Sequence, residues 1–227
     1  MNKRKRIFWA GDSTVATNKI DTYPQTGIGQ VLYLYLKDNI DVYNYAKNGR
    51  SSKSFINEGI LDEINKNIQE DDFLFIEFGH NDEKENDELH TEAFSSYQDY
   101  LMKYVSVARE KGAYPVFITS LYRRWFDDDG HIKSRVHLDY PDAMIELGKK
   151  QGIPVIDLCN KSKELLENMG DENSKNLYMN INKGQYKNYE DGQIDNSHLK
   201  YNGAVIMAGL IADGLKKLGG KYKELLL

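Results

Sequence analysis

Apolar residues gather in five short runs rich in β-branched and aromatic side chains: Ile7 to Ala10, Ile40 to Tyr45, Phe73 to Phe78, Tyr114 to Ser120 and Ile153 to Leu158. Runs of this length, closed off by turn-forming residues, predict buried strands. Between them the apolar spacing changes to a repeat of three and four. Ile28 to Lys37, then Phe55, Ile60, Ile64 and Ile68, then Phe94, Tyr97, Leu101, Tyr104 and Ala108, then Ala143 to Lys150 each predict a helix. A helix near Ser162 to Met169, a polar Asn- and Lys-rich loop from Gly170 to Ser197 and a helix from Tyr201 to Leu218 complete the chain. Alternating strands and helices imply a parallel sheet, because parallel neighbours need a right-handed crossover between them. The expected fold is one three-layer α/β/α domain over residues 1–227: a flavodoxin-like, doubly wound, five-stranded parallel sheet of order 2-1-3-4-5.

Composition fits that core and narrows the partners. With 227 residues, a hydrophobic share of 40% and 16 Tyr beside 8 Phe, the chain has enough apolar surface for one sizeable core. A net charge of -5 gives no basic footprint, which argues against nucleic acid. Nothing approaches the roughly 18 consecutive apolar residues of a membrane helix. The basic cluster Lys3 to Arg6 is followed by only a short apolar stretch before Gly11 and Asp12, too short for an export signal, so a cytoplasmic location is expected. Cys159 is the single cysteine and has no partner for an internal disulfide; it reads as buried filler. The oligomeric state is left open.

The chemistry concentrates just past the strand ends. Gly11-Asp12-Ser13 follows the first strand, "NYAKNGRSS" with Gly49 the second, and "FGHND" with Asn81 the third. In a sheet of order 2-1-3-4-5 these loops are neighbours at the switch point where α/β proteins bind ligands. A serine oxygen attacking an ester carbonyl builds charge on the carbonyl oxygen, and that charge needs preorganised donors; a Gly N-H, an Asn amide and the serine's own N-H are suitable. A base must take the serine proton, and a third group must orient the base. "DNSHLKYNGA" offers Asp195 and His198 three residues apart. Taken singly, each residue has a plainer reading: Ser13 as a turn residue, Asp12 as a loop organiser, Gly49 as a left-handed turn, Asn81 as a cap, Asp195 as the cap of the last helix. His80 reads as a packing residue, and His90, His131 and His137 lie in polar stretches where exposure is expected.

The ordered set "GDSTV", "NYAKNGRSSKSF", "FGHND", "RRWFDDDG", "YPDAM" and "DNSHLKYNGA" resembles the SGNH hydrolases, or GDSL-like esterases, and within them the rhamnogalacturonan acetylesterase group. The resemblance implies Ser13 as nucleophile, His198 and Asp195 as its partners, and Ser13, Gly49 and Asn81 as the oxyanion hole. It implies a serine esterase that removes acetyl groups from carbohydrate, with acetylated rhamnogalacturonan oligosaccharides as substrate and no metal or organic cofactor. Acetyl xylan or another small-acyl ester is the alternative substrate, and a non-catalytic carbohydrate-binding protein on the same scaffold the alternative function. Arg50, His80, Arg123, Arg124 and Trp125 are candidate substrate contacts, with Tyr122, Trp125 and Phe126 as a stacking wall for sugar rings. A binuclear metallophosphatase fits poorly, because the last third of the chain holds only one histidine, His198.

Overall fold

Each apolar run becomes a strand, and in the computed structural model, which describes residues 4–227, the five strands form one parallel sheet ordered β2-β1-β3-β4-β5. The strands are β1 (Lys5–Gly11), β2 (Ile40–Asn44), β3 (Phe73–Glu77), β4 (Tyr114–Ile118) and β5 (Val155–Ile156). Lys3 of the basic cluster lies outside the described residues. Alternation along the strands divides the core in two. Ile7, Trp9, Phe73, Phe75, Val116 and Ile118 face one side, while Phe8, Ala10, Leu74, Ile76 and Phe117 face the other.

The second face is covered by α1 (Ser52–Asn57), α2 (Ile60–Asn67), α3 (Gln98–Glu110) and α4 (Tyr140–Gln151). The first is covered by α5 (Leu158–Ser174) and α6 (Tyr201–Leu218), with a last short turn, α7 (Gly220–Lys223), beyond. In α6 the positions Ala204, Met207, Ala208, Ile211 and Leu215 are buried, the three-and-four spacing that lays one helical stripe on a sheet. No helix among the described residues is long and apolar enough to cross a membrane.

Three expected helices come out differently. The stretch from Ile28 to Lys37 forms two 3₁₀ turns, Ile28–Gln30 and Leu32–Tyr35, instead of a helix. Its amides are drawn elsewhere: Ile28 N-H donates to the Thr14 carbonyl and Gly29 N-H to the Val15 carbonyl. The chain passes so close there that a β-carbon at Gly27 would stand 2.1 Å from the Ala16 carbonyl oxygen. The pattern from Phe55 to Ile68 is broken into α1 and α2 by Gly59, whose φ of +76° interrupts a right-handed helix. The helix expected near Ser162 starts earlier, at Leu158, where the Asp157 side chain accepts from Asn160 N-H. It bends at Gly170 and absorbs the start of the expected loop. The rest of that loop is pinned by bridges pairing Ile181 with Gln193 and Tyr178 with Leu199.

Candidate active site

Gly11 pairs in register with Glu77, and Trp9 with Asn44, so the loops after β1, β2 and β3 leave the sheet side by side. In the first loop the Asp12 carbonyl accepts from Val15 and Ala16 N-H at 3.2 and 3.0 Å, and Asp12 Oδ1 accepts from the Thr14 N-H and hydroxyl, both at 2.9 Å. That tight turn presents Ser13 half-buried at the sheet's rim. The expectation that Asp12 organises its loop matches this bonding.

The second loop is tied to the first by Lys47 N-H donating to the Gly11 carbonyl at 3.1 Å. It then turns at Gly49, whose φ of +79° disfavours any residue with a side chain. Two residues later Ser51 caps α1: its hydroxyl accepts from Ser54 N-H while Ser54 Oγ accepts from Ser51 N-H. Neither the Ser13 N-H nor the Gly49 N-H donates to another group among the described residues.

The third loop is anchored by Asp82, which is buried and accepts from Ser52 N-H at 3.1 Å, from the Ser52 hydroxyl and from the Thr91 hydroxyl at 3.1 Å. Burial pushes its carboxyl up to about 7, against the pull of those donors. Asp82→Ala strips three donors of their acceptor, so a loss of about 2–4 kcal/mol of stability is expected in urea unfolding at pH 6. A carboxyl whose pKa is raised by folding favours the native state most below its unfolded pKa, and the benefit fades as pH climbs to about 7. The penalty should therefore shrink at pH 8; a mutant as stable as wild type at pH 6 would show that Asp82 pins nothing. Beside this anchor, Asn81 is nearly buried; its Nδ2 donates to the Arg50 carbonyl at 2.9 Å, and its Oδ1 accepts from Lys84 Nζ at 2.6 Å.

The other half of the site comes from the segment before α6. Asp195 Oδ1 accepts from Ser197 and His198 N-H at 2.8 and 3.0 Å, which closes a tight turn. Asp195 does not cap α6, whose N-cap position is taken by Lys200. Its other oxygen, Oδ2, lies 2.6 Å from His198 Nδ1, and His198 Nε2 lies 2.9 Å from Ser13 Oγ. These bonds imply the tautomer in which Nδ1 donates to the carboxylate and the serine hydroxyl donates to Nε2. Burial disfavours the charged imidazole, but the hydrogen bond and charge of Asp195 outweigh it and hold His198 above its usual value. The same pairing, against burial, holds Asp195 below the usual carboxylate range.

Ser13, His198 and Asn81 line one hollow of about 520 Å³ with Thr14, His80, Glu83, Lys84, Arg123, Trp125, Val136, Leu138 and Ser197. Of the candidate substrate contacts, His80, Arg123 and Trp125 belong to it; Arg50 and Arg124 do not. Arg50 Nε pairs with Glu58 at 3.0 Å on the surface. Arg124, 4% exposed, ion-pairs with Asp171, donates to Asn196 Oδ1 at 3.0 Å and accepts no place at the hollow, so it braces the Asp195 turn instead. The arginine at the hollow is Arg123, ion-paired with Glu83 and lying 5.0 Å from the Trp125 ring. Arg124 packs on Phe126 at 5.5 Å, as alternation along an extended segment requires.

His137, expected to be exposed, is 1% exposed: its Nε2 lies 2.8 Å from the Leu121 carbonyl oxygen and its ring 4.3 Å from that of His80. The surrounding polar sequence concealed this, because burial there depends on the β4 loop folding back. His80 is buried and held well below its usual pKa by that burial, hence neutral. Among the described residues, Asp12, Glu77 and His80 are the one group of three or more ligand-type side chains whose ligand atoms lie within 4.8 Å of one another. Burial, and then the charge of Asp12, push Glu77 well above the usual carboxyl range.

Residues 7–211 match the family profile described as GDSL-like Lipase/Acylhydrolase. The chain is 42% identical to the rhamnogalacturonan acetylesterase RhgT of Bacillus subtilis (strain 168), covering 99% of this chain and 95% of that protein. It is 38% identical to the probable rhamnogalacturonan acetylesterase YesY of the same organism, covering 94% and 93%. The crystal structure of YxiM from Bacillus subtilis superposes with a TM-score of 0.80 at 26% identity, over 95% of this chain and 57% of that longer one.

Proposed function

Starting from the fact that the chain belongs to the GDSL-like lipase/acylhydrolase family, we propose that it is a serine esterase that removes acetyl groups from pectin-type oligosaccharides, those of rhamnogalacturonan first. The observation that carries the catalytic part is the unbroken relay from Asp195 to His198 at 2.6 Å and from His198 to Ser13 at 2.9 Å. The names of two relatives, similar over nearly the full chain, support the substrate.

In this reading His198 Nε2 accepts the Ser13 proton as Oγ attacks the acetyl carbonyl carbon. The charge that moves onto the carbonyl oxygen is met by the Ser13 N-H, the Gly49 N-H and the second hydrogen of Asn81 Nδ2, all held by the three loops before the reaction starts. As the tetrahedral species collapses, His198 gives its proton to the departing sugar oxygen, leaving an acetyl group on Ser13. A water then repeats the sequence: His198 removes its proton, the acetyl-serine bond breaks, Ser13 regains its hydrogen and acetate leaves. Asp195 keeps the imidazole in the right tautomer and stabilises its charged form. Trp125, 42% exposed at the wall of the hollow, offers a face for a sugar ring.

The test is acetate release from a panel of acetylated rhamnogalacturonan, xylan and mannan oligosaccharides, together with acetate and octanoate esters of one chromogenic alcohol. Rhamnogalacturonan should give the highest kcat/KM, because contacts remote from the ester raise the rate only for the sugar they fit. Acetate should be cleaved faster than octanoate. A preference for xylan would reassign the substrate, and no release from any member of the panel would overturn the esterase reading in favour of carbohydrate binding alone.

A further inference from the structure

We propose that Lys84 is the positioning residue of the oxyanion hole: its ammonium fixes the Asn81 amide with the NH2 end toward the reacting ester and sharpens that NH2 as a donor. The inference rests on the assignment of Ser13 and Asn81 made above. An asparagine amide is nearly symmetric in shape, and at a site where only its nitrogen is useful a flip replaces a donor with an acceptor. Here the flip is opposed at both ends. Lys84 Nζ donates to Asn81 Oδ1 at 2.6 Å, a charge-assisted bond, and Asn81 Nδ2 donates to the Arg50 carbonyl at 2.9 Å. Turning the amide over would set its NH2 against an ammonium and its oxygen against a carbonyl oxygen.

One Nδ2 hydrogen is consumed by Arg50, and the other remains for the hollow that Asn81 lines with Ser13 and His198. An ammonium drawing electron density from Oδ1 makes that hydrogen a stronger donor, in the way chained hydrogen bonds polarise one another. Lys84 stands among the exposed residues of the β3 loop, so its place against Asn81 owes nothing to core packing. It also lines the hollow. The lysine three residues beyond Asn81 carries no signal in the sequence beyond its spacing.

The test is a double-mutant cycle between Lys84→Met and Asn81→Ala, read on 4-nitrophenyl acetate, an ester without a sugar for Lys84 to contact. Lys84→Met should lower kcat about tenfold with KM almost unchanged, and Lys84→Arg should restore most of it. Asn81→Ala should cost about a hundredfold to a thousandfold in kcat. In the Asn81→Ala background, Lys84→Met should change kcat by no more than about twofold, because the group it acts through is gone. Two losses that multiply, a loss seen only in KM, or wild-type kcat in Lys84→Met would each overturn the proposal. An active Ser13→Ala enzyme would instead remove the esterase mechanism beneath it, so the two failures are distinguishable.

Discussion

Ser13→Ala is expected to lower kcat on an acetate ester by about 10⁴- to 10⁶-fold while leaving the fold in place. In the proposed mechanism the whole proton relay activates one oxygen, so the loss is large. With Oγ gone, His198 has no nucleophile to deprotonate, and only the oxyanion donors and ordinary binding remain to assist a water molecule. The stability cost should be small: Ser13 is only half-buried, among the described residues its Oγ bonds to His198 alone, and the turn that carries it is held by Asp12. A phosphonylating reagent should add one group to the wild-type chain, at Ser13, and none to the mutant, as mass spectrometry of the intact protein would report. Full turnover by Ser13→Ala would move the nucleophile elsewhere.

Asp195→Asn should cost about 10⁴-fold in kcat despite changing a single atom. Asparagine can keep Oδ1 in place to accept from Ser197 and His198 N-H, so the turn survives. Its NH2 then faces His198 Nδ1 as a donor, and the imidazole answers by moving its proton to Nε2, the atom that must accept from Ser13. The base is present but protonated on the wrong nitrogen. The pH profile supplies a second signature. In the wild type, burial works against the charged imidazole and Asp195 more than offsets it, so the imidazole loses its proton only above its ordinary value of 6.5. Activity needs the neutral ring, so kcat/KM should rise with pH through that elevated value. The same charged ring, favoured by folding, lends stability at low pH that disappears as pH rises through the folded pKa. Without the carboxylate, burial and the charge of Lys84 press the value down with only the charge of Asp12 against them, and the acid limb should move to lower pH. A limb that stays where it was would show that Asp195 is not the partner of the catalytic ring.

The five apolar runs were legible as strands because a buried parallel strand must be apolar on both faces, and their alternation with helical spacing left a doubly wound sheet as the simplest arrangement. Helix α6 was legible to its ends, since a single stripe of Ala204, Met207, Ala208, Ile211 and Leu215 faces the sheet. The stretch from Ile28 to Lys37 was not, because its amides bond to Thr14 and Val15, residues that helical spacing cannot see. The phase of "RRWF" was also hidden: alternation says that Arg123 and Trp125 share a side, and Arg124 and Phe126 the other, but not which side meets the hollow. Lys84 and His137 were missed for the same kind of reason, since their partners Asn81 and Leu121 become partners only once the loops have packed.

The sequence by itself determined the ingredients: which stretches are strands, which loops follow them, and that a serine, an asparagine and an Asp-His pair sit at loop positions. Tertiary structure alone decided that Ser13 Oγ and His198 Nε2, 185 positions apart, lie at hydrogen-bond distance, that Arg123 and not Arg124 turns to the hollow, and that one end of the Asn81 amide is fixed. Local pattern reports on residues a few positions apart, through helical and strand periodicity. Distances between remote loops depend instead on strand order and register, which are set by the burial of the whole core at once.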